Sequence, residues 1–113
     1  MNTAGKWIWH DGTLLPAKKK IITAQNRGFR YGDGLFETIK VLNEYIVLSA
    51  YHWERLFAGL RLLNFSVPSF FTENYIETAI KQLLHANKHL HAASVRCMVY
   101  RGEGNGWKAN NLF

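Results

Sequence analysis

A chain of 113 residues, 48% hydrophobic, 14% aromatic and 19% charged, is of a size for one domain with a real core, and this composition excludes the polar, aromatic-poor class of disordered sequences. It contains no run of about 18 apolar residues and no apolar leader with a cleavage site, so neither a membrane span nor a secretory signal is expected and a cytoplasmic location is. The single cysteine, Cys97, excludes an internal disulfide and a cysteine-based zinc cluster, while the formal charge of +6 comes from scattered bases and one run, Lys18-Lys19-Lys20, a pattern that favours a solvated basic face over a nucleic-acid surface.

In chain order, KWIWH and TLLP flank Asp11-Gly12, a pair that supplies the positive φ angles of a tight reversal, and the spacing predicts a hairpin. Lys20 to Ala24 is expected to form a short strand. LFETIKVL, Leu35 to Leu42, alternates strictly, with Leu35, Glu37, Ile39 and Val41 on one face and Phe36, Thr38, Lys40 and Leu42 on the other. That period predicts a strand, and Asn43-Glu44 a turn into YIVL. Ser49 is placed to cap a helix whose Trp53, Leu56, Phe57, Leu60 and Leu63 form one apolar stripe, with His52, Arg55 and Gly59 on the adjoining face. Pro68 closes that segment, and a second helix is expected from about Thr72, with Glu73 at its N-terminus and Ile76, Ala79, Ile80, Leu83 and Leu84 as its stripe. Beyond the polar stretch HANKHLH, Ser94 to Tyr100 reads as a strand with Val95, Cys97 and Val99 opposed to Arg96, Met98 and Tyr100, and the tail RGEGNGWKANNLF reads as a loop. Together these make an α+β domain, a two-layer sandwich of a mostly antiparallel sheet with two helices on one face.

Most catalytic signatures are missing: there is no Walker-type phosphate loop, no HExxH, no CxxC and no GxSxG. His85, His89 and His91 have spacings that could approach one ion, but they lack a carboxylate or cysteine nearby in sequence and read as a solvated helix end, so no metal is expected. His52 and Arg55, three apart on a helix, share a face. They either present a cation and a donor to an anion, or pack structurally, with Arg55 paired to Glu54 or Glu37.

Glu37 is the sharper anomaly, because alternation sets it among Leu35, Ile39 and Val41, where an ionised carboxylate without a partner costs several kcal/mol. It needs a cation or donor: it either forms a charge pair with an arginine that only holds an element in place, or holds a cationic or polar group at the edge of a site. Just before it, RGFRYGDGLFET crowds glycines into the approach to the strand. They let the backbone turn sharply there, with Asp33 as a turn former.

The joint pattern of NRGFRYGDGLFET (26–38), HWERL (52–56) and VRCMVYRG (95–102) resembles the N-terminal domain of class IV aminotransferases, the fold-type IV pyridoxal-phosphate enzymes. These include branched-chain and D-amino-acid aminotransferases and 4-amino-4-deoxychorismate lyase. The resemblance implies residues 1–101 as the small N-terminal domain and 102–113 as the start of an interdomain loop, with the large C-terminal domain absent. By position in those motifs, Arg55 would bind the phosphate of pyridoxal 5'-phosphate, Tyr31 and Phe36 would line the substrate pocket, and Arg96 would help hold the substrate α-carboxylate. This chain has Phe36 where some relatives have tyrosine, and Ser94 where branched-chain enzymes have a tyrosine two residues before the arginine.

Family members hold the cofactor through a lysine of the second domain. None of Lys6, Lys18, Lys19, Lys20, Lys40, Lys81, Lys88 and Lys108 lies in a matching segment, so no residue here is given a catalytic role and the isolated chain, read as a truncated gene product, is expected to be inactive. In the complete enzyme the expected substrate is an amino acid or aminodeoxychorismate, and the expected assembly a homodimer. A basic module that binds nucleic acid or other anions without catalysis is the competing reading, and salt-dependent binding of DNA or RNA would distinguish it.

Overall fold

In the computed structural model, which describes residues 5–102, the segments with a strong apolar period form the elements their periods dictate. β1 (Trp7–His10) and β2 (Thr13–Pro16) pair antiparallel around Asp11 and Gly12, whose φ angles of 50° and 84° are the left-handed pair that a tight hairpin requires. Lys20 to Ala24 corrects the sequence reading: it is exposed and pairs with no strand. It leads instead into a helix of little more than one turn, α1 (Arg27–Tyr31), in which the Asn26 side chain accepts from the Phe29 N–H at 3.0 Å and Gly32, at φ 64°, ends the helix.

β3 (Gly34–Leu42), β4 (Tyr45–Ile46) and β5 (Ala92–Tyr100) form an antiparallel sheet in the order β4-β3-β5. Asn43 and Glu44, at φ 48° and 65°, make the predicted turn between β3 and β4. β3 pairs with β5 along its whole length, which sets Glu37 opposite Cys97, Phe36 opposite Met98 and Thr38 opposite Arg96. The N-terminal hairpin is a separate two-stranded sheet, not an extension of this one. It docks at the end of the second long helix, where the Asn87 side chain accepts from the Trp7 N–H at 2.8 Å and donates to the Trp7 carbonyl at 3.0 Å.

The connection from β4 to β5 is made by α2 (Ser49–Leu62) and α3 (Glu73–Asn87). Ser49 is not the cap of α2 but its first residue; the capping position is Leu48, at φ 57°, and it contributes no side-chain hydrogen bond. α3 is capped as its sequence indicates, with Thr72 Oγ1 accepting from the Tyr75 N–H at 3.2 Å and Glu73 in the first turn. Both helices cover one face of the sheet, where Ile39, Val41, Val95 and Val99 meet Trp53, Leu56, Leu60, Ile76, Ile80 and Leu84 in one buried cluster. Trp53 is almost fully buried, and its indole N–H donates to Glu77 Oε2 at 2.7 Å, tying α2 to α3 without leaving the polar nitrogen orphaned.

The α+β sandwich and the N-terminal hairpin are therefore as expected, with α1 as an addition. The other face of β3 and β5 is more open: it carries Phe36, Leu42 and Met98 in solvent, while Tyr100 at its end meets the hairpin, with its hydroxyl 3.0 Å from His10 Nε2. Past Gly102, the expected loop over 102–113 lies outside the described residues. Among the described residues no helix is long and apolar enough to cross a membrane.

Candidate active site

The residues singled out in the sequence fall into two groups, one on each face of β3. On the more open face, Phe36 is exposed and the Arg96 guanidinium lies 5.0 Å from its ring centroid, a cation–π contact across the β3–β5 ladder. An open cleft of about 520 Å³ borders this face, lined by Phe29, Gly32, Phe36, Met98 and Tyr100 among others. Tyr31 ends α1 beside it in sequence, exposed, with the Arg30 guanidinium 5.0 Å from its ring.

On the helix-covered face, Glu37 is 7% exposed and both of its carboxylate oxygens are engaged. Oε1 accepts from His52 Nδ1 at 2.7 Å, and Oε2 lies 3.4 Å from Arg55 Nε. An ionised carboxylate only accepts, so Nδ1 of His52 carries the proton in this bond. The expectation that Glu37 needs a partner is met twice, by the two residues that share a face of α2. Arg55 itself is 60% exposed, and the Tyr51 ring centroid lies 5.7 Å from its guanidinium carbon. The arginine thus pairs with the carboxylate at its inner nitrogen while most of its side chain remains exposed.

Cys97, paired with Glu37 in the ladder, has its thiol pKa pushed up to about 11, by burial first and by the charge of Glu37 second. It should behave as an inert side chain. At pH 8 we expect alkylation by iodoacetamide to be slowed ~10-fold or more against the unfolded chain, and an equal rate in the two states would refute this.

Other side chains take partners that local sequence does not reveal. Asp33, read as a turn former, faces Arg101: Arg101 Nε lies 3.3 Å from Asp33 Oδ2, and the Arg101 backbone N–H donates to the Asp33 carbonyl at 2.9 Å. The Arg101 side chain also donates to the Leu63 carbonyl at 2.7 Å, and its guanidinium stacks 3.8 Å from the Phe65 ring centroid. Sequence reasoning missed this hub, whose only signal is an arginine closing a strand with a half-apolar face. His85, read as solvated and lacking a carboxylate, has Glu44 Oε1 2.6 Å from its Nε2 across the fold.

Gly34 and Gly32 serve different ends in this region. A Cβ on Gly34 would lie 2.5 Å from the Val99 carbonyl oxygen, so the residue is small because the ladder leaves no room. Gly32 has open space but a φ of 64°, the left-handed angle that closes α1.

This architecture recurs in known proteins. A curated relative, a protein of Methanocaldococcus jannaschii assigned as a branched-chain-amino-acid aminotransferase, is 26% identical over 98 residues, covering 87% of this chain and 33% of its own. Among solved structures, the branched-chain aminotransferase of Thermoproteus uzoniensis with norvaline superposes with a TM-score of 0.80 at 22% identity, over 96% of this chain and 38% of that one. The T.th. branched-chain amino acid aminotransferase with pyridoxamine 5'-phosphate gives 0.80 at 20% identity, over 97% and 38%. For the enzyme from Escherichia coli the values are 0.79 and 18%, over 90% and 34%. The chain thus spans about a third of the length of these relatives, and at such identities the structural matches establish the fold. The sequence model described as Amino-transferase class IV matches residues 34–111, from the first residue of β3 through both long helices and β5. The match covers well over half of the chain, which belongs to the class IV aminotransferase family.

Proposed function

We propose that this chain is the N-terminal part of a pyridoxal-phosphate-dependent aminotransferase acting on amino acids, in which Arg55 binds the cofactor phosphate. The observation that carries this reading is the disposition of Arg55, paired with the buried Glu37 at Nε, 3.4 Å from Oε2, with its side chain 60% exposed. That donor set fits a phosphate dianion, which a guanidinium fork binds through two parallel charge-assisted hydrogen bonds. Pyridoxal phosphate, when bound, supplies the electron sink that amino-group chemistry requires. A structural relative crystallised with pyridoxamine 5'-phosphate supports a cofactor of that class.

Tyr31, Phe36 and Arg96 form the substrate side of the proposal. An arginine above an exposed aromatic ring suits a ligand with a carboxylate and an apolar side chain. The relatives named as branched-chain aminotransferases favour an aliphatic amino acid over aminodeoxychorismate. Glu37 contributes at the rim through the groups it holds. Residues 1–101 would be the small domain and 102–113 the start of the connection to a larger one. Because no lysine of this chain matches the family's cofactor lysine, the chain alone is proposed to be inactive. A homodimer and a cytoplasmic location complete the reading.

Calorimetric titration with pyridoxamine 5'-phosphate, which has no aldehyde to react with surface lysines, tests the central claim. Arg55→Ala is expected to weaken binding about tenfold, the effect of losing a charge-assisted hydrogen bond. Equal binding by the variant and the unaltered chain would overturn the phosphate role. Salt-dependent binding of DNA or RNA would instead favour the basic-module reading.

A further inference from the structure

We infer that Glu37 and His52 are positioning residues for Arg55, so that the phosphate-binding group is a three-residue unit anchored to the sheet and not a lone surface arginine. The inference rests on the proposed role of Arg55 and extends it inward.

Three observations carry it. First, the two oxygens of Glu37 are divided: His52 Nδ1 takes Oε1 at 2.7 Å, and Oε2 is left toward Arg55 at 3.4 Å. A carboxylate buried to 7% exposure and pinned by one imidazole has little rotational freedom. Second, Arg55 approaches the carboxylate through Nε, 3.4 Å from Oε2, while its side chain stays 60% exposed. An end-on fork would consume the edge that a phosphate needs, whereas a contact at Nε leaves it available. Third, the anchor itself is rigid, since Glu37 lies within β3, its ladder partner is Cys97, and the neighbouring Ile39 is fully buried.

An exposed arginine otherwise samples many rotamers, and ordering it on binding weakens affinity. Here Glu37 fixes one end of the guanidinium, and the Tyr51 ring, 5.7 Å away, borders it. His52 does not reach the ligand in this scheme. It acts by turning the carboxylate. The sequence H-x-x-R supplies both partners from one face of α2, three residues apart, which is why one glutamate can serve both.

The test is a titration of the 113-residue chain and its variants with inorganic phosphate and with pyridoxamine 5'-phosphate, followed by the side-chain Nε–Hε NMR signal of Arg55, assigned by its loss in Arg55→Lys. Solvent exchange of that signal should be slow in the unaltered chain, fast in Glu37→Gln and intermediate in His52→Ala. Phosphate affinity should fall about fivefold in Glu37→Gln and by a smaller factor in His52→Ala, with both chains keeping a cooperative thermal transition. A merely structural Glu37 would alter the melting temperature and leave exchange and affinity alone. If Arg55→Ala weakens binding but Glu37→Gln binds as the unaltered chain does, the positioning role is wrong and the phosphate role stands. Should the unaltered chain show no response to either ligand, or Arg55→Ala bind equally well, the phosphate role itself fails. Where Glu37→Gln does not fold, the His52→Ala exchange rate decides: exchange as slow as in the unaltered chain overturns the inference.

Discussion

Gly34→Val is expected to cost about 3 kcal/mol or more and to leave little folded protein. The physical ground is that the new Cβ would lie 2.5 Å from the Val99 carbonyl oxygen and 2.8 Å from Tyr100 Cα, both backbone atoms of the paired strand. A flexible side chain could move aside at small cost, but these atoms are fixed by the β3–β5 ladder. Relief requires the strands to part at the point where β3 begins, beside Phe36. Overpacking costs ~1–3 kcal/mol where neighbours can shift, and a clash with backbone belongs at or beyond the top of that range. Gly34→Ala should show a smaller loss of the same origin. Gly32 supplies the contrast, since it has no atom within 4 Å of a built Cβ and is constrained only by its φ of 64°. Gly32→Ala should therefore cost ~1–2 kcal/mol, and Gly32→Asn less, because asparagine tolerates that region. Urea unfolding of the four variants checks the order. A Gly34→Ala midpoint equal to that of the unaltered chain would show that the ladder relaxes freely there.

The same contrast shows what the sequence does and does not carry. LFETIKVL and the stripes of α2 and α3 were legible because their periods record which face is buried, a property written residue by residue. The Asp11-Gly12 and Asn43-Glu44 turns were legible because left-handed angles favour Asp, Gly and Asn locally. α1 was not, since five residues make too little periodicity and the element depends on the Asn26 cap and the Gly32 stop. Lys20 to Ala24 has residues that suit a strand, but a strand exists only if an edge is available to it, and pairing is a tertiary fact. Ser49 is a good capping residue one position too late, because the chain leaves β4 through a left-handed Leu48.

At the site, burial arithmetic already required a partner for Glu37 and named Arg55 among the options. The part played by His52 in dividing the carboxylate needed coordinates. Alternation placed Phe36 and Arg96 each on a strand face, but only the register of β3 with β5 brings them into contact. It also separates them from Glu37, His52 and Arg55, which lie on the other side of the same strand. Residues adjacent in sequence, Phe36 and Glu37, therefore serve two different surfaces, and in the proposed function one surface meets substrate and the other reaches the cofactor through Arg55.

Arg101→Ala should destabilise the domain by about 3 kcal/mol, the scale of breaking one partner out of a largely buried ion pair. The Arg101 and Asp33 side chains are 13% and 16% exposed, so the pair is largely shielded from water. The loss extends beyond the pair. At the C-terminal end of α2 the Leu63 carbonyl loses its donor at 2.7 Å, and the Phe65 ring loses the guanidinium stacked 3.8 Å from its centroid. Arg101→Lys keeps the charge but cannot reach carboxylate, carbonyl and ring together, and it should recover only a fraction of the loss. Asp33→Asn leaves the carbonyl and ring contacts in place and should cost less than Arg101→Ala. A double-mutant cycle of Asp33→Asn with Arg101→Met should give a coupling of ~1 kcal/mol or more.

The location of the damage is as informative as its size. Arg101 joins the loop before β3, the end of α2 and the end of β5, and its own N–H donates to the Asp33 carbonyl at 2.9 Å. Hydrogen exchange in Arg101→Ala should rise first over residues 27–35, the segment that carries Tyr31 and leads to Phe36, while the interior of α3 retains its protection. Uniform acceleration across both regions would mean that Arg101 supports the fold at large and does not specifically hold the loop of the proposed substrate surface. An unchanged melting temperature together with unchanged exchange would mean that water replaces the guanidinium at no cost, and the hub would lose its standing as a structural element.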